Sequence, residues 1–157
     1  MKILSLSDQV AKEAYKTAPD ALKAILEENF GKPFFSEKIT DRVKSFDDAC
    51  QVLSIEPDLF EFVDTAPHTA AYIKLTHIIE ALNEGWIPNW KDTNQRKYYP
   101  WFYMDETSSS PSGFGRIDVS GVCTVSTVGS RFVFKTEELA KYAATQFKEI
   151  YKEFYCI

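Results

Sequence analysis

Two groups of side chains in this sequence have types and spacing suited to binding. The first is a cluster of aromatic rings in the middle of the chain, Tyr98, Tyr99, Trp101 and Tyr103. The second is a set of basic residues further along, Arg131, Lys135, Lys141, Lys148 and Lys152. In proteins that bind single-stranded nucleic acid, lysines contact phosphates while aromatic rings stack on bases. One hypothesis is therefore a single-strand-binding surface built from both groups.

A protein-binding surface explains the same residues with fewer requirements. Tyrosine, tryptophan and arginine dominate the binding energy of many protein–protein interfaces. The backbone of an edge strand can also pair with an extended segment of a partner. The net charge of -5 repels nucleic acid but does not oppose a protein partner. The sequence therefore favours non-catalytic binding to a protein partner, with single-stranded nucleic acid as the alternative.

A third hypothesis is a metal-dependent enzyme. His77, Glu80 and Glu84 are three and four residues apart, which places them along one side of a helix. No second cluster of ligand-type residues and no paired zinc motif accompanies them, so a solvated polar helix face is favoured over a metal site. No glycine-rich phosphate-binding loop and no nucleophile elbow is present, so we expect no cofactor and no catalytic residues.

The cysteines and the apolar segments indicate the cellular compartment. Cys50, Cys123 and Cys156 are odd in number, widely spaced and without a C-x-x-C pair, which is typical of reduced, buried thiols in a cytosolic protein. The apolar segment from Met1 to Leu6 is too short for the core of a signal peptide. No apolar run approaches the roughly 18 residues of a membrane helix. We expect a soluble, cytoplasmic protein with no membrane partner.

The first half of the chain predicts helices. Helical patterns run up to Pro19 and from there to Gly31, and this pair over residues 1–31 is expected at the periphery of the domain. Ser45 and Asp48 have the spacing of a capping box, which predicts a helix start. A longer helix is predicted from Pro67 to Gly85, with apolar residues along one side.

The second half predicts a small sheet followed by a helix. Residues 97–104 form a candidate edge strand because Pro100 cannot donate to a ladder. Alternation over 117–127 predicts the next strand, and a turn at Gly129 leads to a third over 131–135. Thr136 is the expected cap of a single C-terminal helix with an apolar stripe.

These elements predict one α+β domain over residues 1–157. The length is enough to bury a core without disulfides or metal. Hydrophobic content of 45% and charged content of 26% are ordinary, whereas 15% aromatic residues is high and favours a packed sheet. We expect N-terminal helices, a small, mainly antiparallel sheet of about three strands, and the C-terminal helix packed on that sheet.

Several long segments resemble an uncharacterised protein family found in gut bacteroidete genomes and their phages. The similar segments cover nearly the whole chain and include residues 42–50, 81–90, 97–102, 129–135 and 142–154, with the motifs KYYPWF at 97–102 and GSRFVFK at 129–135. The resemblance implies a prokaryotic or phage context, often near mobile elements. The family has no established activity or catalytic residues, so the resemblance assigns no site residue.

Overall fold

A computed structural model describes residues 7–36, 38–57, 62, 65–104 and 114–156. The chain divides into two compact units, Met1–Arg42 and Val43–Ile157, and each is described by itself. The single domain expected over residues 1–157 stays a prediction.

The first unit contains short helices joined at proline and glycine. Helix α1 covers Asp8–Thr17 and α2 covers Asp20–Phe30, a 3-10 turn follows at Lys32–Phe35, and α3 covers Ile39–Arg42. Ala18 is extended because the proline that follows it disfavours the helical region. Gly31 ends α2 with a positive φ of 81°, which glycine adopts without steric cost. The predicted helical pair is confirmed.

Two helices of the second unit pack against each other. Helix α4, Phe46–Leu53, begins at the predicted capping box: Ser45 Oγ accepts from the Asp48 amide, and the Asp48 carboxylate accepts from the Ser45 amide. Helix α5 covers Pro67–Asn83, close to its predicted bounds. It packs against α4 and against the last helix of the chain. Its buried residues surround most of its circumference, so α5 is the central helix of this unit.

The sheet consists of two antiparallel strands, β1 at Lys97–Met104 and β2 at Phe114–Val122. A third extended segment joins β1 through one bridge, between Tyr98 and Phe134. The strand expected over 131–135 instead begins with a 3-10 turn at Ser130–Phe132, and the strand expected to reach residue 127 ends at Val122.

Pro100 explains why the third segment pairs only once. Tyr98 exchanges both backbone hydrogen bonds with Phe134, at 3.0 and 2.7 Å, so its polar groups point away from β2. Alternate residues of an antiparallel strand direct these groups to the same edge, which places the nitrogen of Pro100 on the side of Phe134. Proline carries no N–H there, so the ladder stops and Pro100 does not disturb the pairing with β2.

The C-terminal helical region packs on this sheet. Helix α6, Glu137–Gln146, starts at Thr136, whose hydroxyl accepts from the amide of Leu139 at 3.3 Å, as predicted. The helix is interrupted at Phe147, and a separate helix, α7, covers Lys148–Tyr155. The single C-terminal helix that was predicted is therefore two helices. Helix α6 contacts both strands. The predicted α+β fold is confirmed, with N-terminal helices, a small antiparallel sheet and C-terminal helices packed on it.

Of the residues described, no helix is both long and apolar enough to cross a membrane.

Candidate functional site

The two sides of the sheet differ in what they contact. Residues directly opposite in an antiparallel pair have their side chains on the same side of the sheet. On the inner side, the Phe102 ring lies 4.5 Å from that of Phe114 and 5.0 Å from that of Tyr151 in α7. On the outer side, Tyr99 and Trp101 of β1 lie opposite Ser120 and Asp118 of β2, and the ring of Tyr103 packs against that of Trp101. We call these five residues the outer sheet face.

The outer sheet face is aromatic with one acidic group. The rings of Trp101 and Tyr103 are 4.9 Å apart at 47°, and Tyr99, Trp101 and Tyr103 are all half-buried. Asp118 pairs with Trp101 in the register and is exposed. Its Oδ1 accepts from the Val119 amide at 2.8 Å, and in the described part of the chain no lysine or arginine pairs with it. The surface therefore offers π faces beside a carboxylate that no described cation neutralises.

The connection that precedes β1 is held by a buried lysine. Lys97 is fully buried, and its Nζ donates to the carbonyls of Asn89, Gln95 and Cys123 at 2.5, 2.6 and 2.8 Å. The ammonium also lies 5.3 Å from the centroid of the Trp90 ring. A charged donor forms stronger hydrogen bonds than a neutral one, so Lys97 fixes the loop over residues 89–95 next to the sheet.

Sequence reasoning assigned Lys97 no role. Its acceptors are backbone carbonyls, which every residue carries, so no residue type near it signals the burial.

The structure brings three of the four predicted aromatic residues together and separates the fourth. Tyr98 pairs with Gly121 in the register and lies on the inner side of the sheet. A Cβ at Gly121 would be 3.2 Å from the Tyr98 ring, which shows how closely the ring packs on the glycine. The guanidinium of Arg96 lies 6.0 Å from the centroid of the same ring. Tyr98 is therefore a packing residue of β1 and not part of the outer sheet face.

The predicted basic residues lie away from the outer sheet face. Lys135 forms an ion pair with Glu84 at 2.8 Å, and exposed Arg131 borders a groove beside Trp86 at the end of α5. The three lysines of the stripe are on the C-terminal helices, Lys141 on α6 and Lys148 and Lys152 on α7. Because these helices pack on the inner side, the stripe and the three outer rings are on opposite sides of the sheet.

The metal hypothesis gains no support from the positions of its ligands. His77 Nδ1 is 2.8 Å from the carbonyl of Ile73, and its ring lies edge-on to Phe46 with centroids 6.3 Å apart. Glu84 is engaged with Lys135. Within the described ranges, no group of three histidine, cysteine, aspartate or glutamate side chains is placed to hold a metal.

The cysteines are free thiols with different exposure. Cys50 is fully buried, which confirms the burial expected for this thiol. Burial, reinforced by the charge of Asp47, raises the pKa of the Cys50 thiol, so the thiol stays protonated and unreactive. Cys123 and Cys156 are half-buried, which corrects the expectation that all three are buried.

No model of a protein family, no curated protein and no solved structure matches this chain.

Proposed function

We propose that this chain is a non-catalytic protein-binding module that binds an extended segment of its partner along the outer sheet face. The observation that carries the proposal is the row of Tyr99, Trp101 and Tyr103 beside exposed Asp118, on the side of the sheet turned away from α6 and α7. Tyrosine and tryptophan are the residue types that most often anchor protein interfaces.

The edge of β2 supports an extended partner. Lys97, Tyr99 and Trp101 direct their backbone groups to β2, since Tyr98 directs its own to Phe134. The alternate residues of β2, among them Ile117 and Gly121, therefore direct their amides and carbonyls away from β1. In the described part of the chain no segment pairs with that edge. An added strand would satisfy these groups and place every second side chain on the outer side of the sheet, next to Asp118 and Ser120 of β2.

Charge favours a basic partner segment. The chain has a net charge of -5, and Asp118 lies at the centre of the outer sheet face without a counter-ion among the described residues. An arginine of the partner would pair with Asp118 and lie over the ring of Trp101, which combines an ion pair with a cation–π contact.

Single-stranded nucleic acid is the weaker alternative for this surface. The phosphates of a strand stacked on Trp101 would lie beside Asp118, and the lysines of α6 and α7 are on the other side of the sheet. The acidic group would repel the phosphates.

The proposal is tested with two labelled peptides of equal length, one alternating arginine with valine and one alternating glutamate with valine. We expect the arginine peptide alone to bind, measured by fluorescence anisotropy. Trp101→Ala and Asp118→Lys should each weaken binding about tenfold or more. Asp47→Lys makes the same charge change at an exposed position on α4 and serves as the matched control. Equal weakening by Asp47→Lys, or binding of both peptides alike, would contradict the proposal.

We further propose that the protein acts in the cytoplasm of a prokaryotic or phage-infected cell. The sequence resemblance and the three free thiols support this context.

A further inference from the structure

The first unit, Met1–Arg42, contains a cavity of about 450 Å³ with a cationic lining. Four basic side chains contribute to its wall, Lys12, Lys16, Lys23 and Arg42. Among the residues that the structure describes, no aspartate or glutamate lines it. The volume is in the range of roughly 300 to 1,000 Å³ that is usual for small-molecule sites.

The positive charge of this cavity comes from the placement of basic side chains at its wall and not from an excess of basic residues in the unit. Residues 1–42 contain seven lysines and arginines and seven aspartates and glutamates, so this unit is neutral as a whole. Within the described part of the chain, no carboxylate pairs with Lys16, Lys23 or Arg42. These three cations repel one another across the cavity, which destabilises the fold. An anionic ligand would reduce this repulsion.

Two carboxylates form hydrogen bonds with hydroxyl groups of the lining. Glu27 accepts a hydrogen bond from the Tyr15 hydroxyl. Asp41 accepts one from the hydroxyl of Ser36 at 2.7 Å. Both carboxylates keep their negative charge, but among the described residues the basic side chains of the lining outnumber the acids that contact it, which leaves the cavity with net positive charge.

Aromatic rings support the lysines of the lining. The ring of Tyr15 stacks on Phe35 with centroids 4.1 Å apart, and Phe34 meets Phe35 edge-on at 4.9 Å. The Lys12 ammonium lies 4.7 Å from the centroid of Phe34, and the Lys23 ammonium lies 5.6 Å from that of Tyr15. These cation–π contacts hold the two ammonium groups at the wall. The rings are engaged with each other and with lysines, so charge is the main recognition element of this cavity.

We infer that this cavity binds a ligand with several linked phosphate groups, either an inorganic oligophosphate or the phosphate tail of a nucleotide. The four cations match the multiple negative charges of such a group. Arg42 supplies a planar guanidinium that binds phosphate oxygens in pairs, and the lysines act as compact point charges. This ligand site is independent of the proposed protein-binding surface on the second unit.

The test is isothermal titration calorimetry on the full chain with three probes, tripolyphosphate, ATP and adenosine. Tripolyphosphate and ATP should bind, and their affinity should fall as the salt concentration rises. Equal affinities assign the site to any oligophosphate, whereas ATP binding at least about tenfold tighter assigns it to a nucleotide tail. Binding of adenosine as tight as that of ATP, or no binding of tripolyphosphate at low salt, overturns the inference.

Variants locate the site. Lys16→Glu and Arg42→Ala should each weaken tripolyphosphate binding about tenfold or more. Lys32→Glu is the matched control, because Lys32 is exposed in the same unit and does not line the cavity. Circular dichroism checks that each variant is folded, and Arg42→Lys replaces any Arg42→Ala that is not, with weaker binding again expected. Wild-type affinity in folded Lys16→Glu, or equal weakening by Lys32→Glu, overturns the inference.

Discussion

Trp101 and Asp118 lie directly opposite each other in the antiparallel ladder, on the side of the sheet turned away from α6 and α7. The pair combines the largest aromatic ring of the outer sheet face with its acidic group. Neither residue belongs to the hydrophobic core, which lies on the inner side of the sheet and includes Phe114, only 1% exposed. This separation between outer and inner residues allows the binding surface to be tested apart from the fold.

The first prediction compares an outer with an inner aromatic residue. Trp101→Ala should lower the free energy of unfolding by only about 1 kcal/mol, because its ring is half-buried and packs mainly on Tyr103. Phe114→Ala should lower it by about 3 to 5 kcal/mol, since it leaves a cavity in the core. Urea denaturation measures both values. If the two losses are similar, Trp101 is a core residue and the outer sheet face is not a free binding surface.

The second prediction concerns the buried ammonium of Lys97. Lys97→Met keeps most of the side-chain volume but leaves the carbonyls of Asn89, Gln95 and Cys123 without their donor. We expect a loss of about 2 to 4 kcal/mol in the free energy of unfolding. Amide hydrogen exchange over residues 86–96 should become faster. Lys91→Met, at an exposed position of the same loop, serves as the control and should change little. Unaltered exchange in Lys97→Met would refute the role assigned to this ammonium.

The third prediction concerns the buried amide of Asn83. Its Nδ2 donates to the carbonyl of Val133 at 2.8 Å, and its Oδ1 accepts from the amide of Lys135 at 3.0 Å. Asn83→Ala should lower the free energy of unfolding by about 2 kcal/mol, because both backbone groups lose their partner. The neighbouring change Glu84→Ala removes only a surface ion pair to Lys135 and should cost less than about 1 kcal/mol. Thermal denaturation compares the two variants, and a larger loss for Glu84→Ala would contradict this assignment.

The fourth prediction uses one chemical change at two tyrosines, the buried Tyr151 and the half-buried Tyr142. The Tyr151 hydroxyl is buried and has no hydrogen-bond partner among the described residues, so Tyr151→Phe should stabilise the fold by about 1 kcal/mol. The Tyr142 hydroxyl donates to the carbonyl of Val43 at 2.8 Å, so Tyr142→Phe should destabilise it by a similar amount. Urea denaturation at neutral pH gives both signs. Equal signs for the two variants would be inconsistent with these hydrogen-bond assignments.

The fifth prediction concerns the pH dependence of the free energy of unfolding, which follows from the pKa of the buried Tyr151 phenol. Burial, with a smaller contribution from Tyr155, raises the pKa of the Tyr151 phenol above its ordinary value. The unfolded chain then releases this proton at a lower pH than the folded chain. The stability contribution is therefore complete below the ordinary tyrosine pKa of about 10 and is lost as pH rises above it. Denaturation measured from pH 8 upward should show a smaller alkaline loss of stability in Tyr151→Phe than in the wild type. Identical alkaline profiles would contradict the linkage.

Local signals in the sequence predicted most of the secondary structure. The Ser45–Asp48 capping box, the Pro67 start of α5 and the Thr136 cap depend on atoms within one helical turn, and each was confirmed. The strand over residues 97–104 was also predicted, but its edge position holds only from Pro100 onward, because Tyr98 pairs with Phe134 on the side away from β2. The break at Phe147 was not, because the apolar stripe continues through it.

The composition of the candidate site required the tertiary structure. Sequence alone placed Tyr98, Tyr99, Trp101 and Tyr103 in one run and five basic residues in another, but it did not assign either set to a side of the sheet. The register with β2 separates Tyr98 from the other three rings, and the packing of α6 and α7 carries the lysine stripe to the opposite side.

What the sequence determined by itself was therefore the set of helices and strands, because caps, prolines and periodic apolar residues act over a few neighbouring positions. Only the tertiary structure decided which side chains meet, because those contacts join residues far apart in the chain. Lys97 and the carbonyl of Cys123, which form a hydrogen bond of 2.8 Å across 26 positions, are the clearest case. A carbonyl is present at every residue, so only the folded chain determines which one the ammonium reaches.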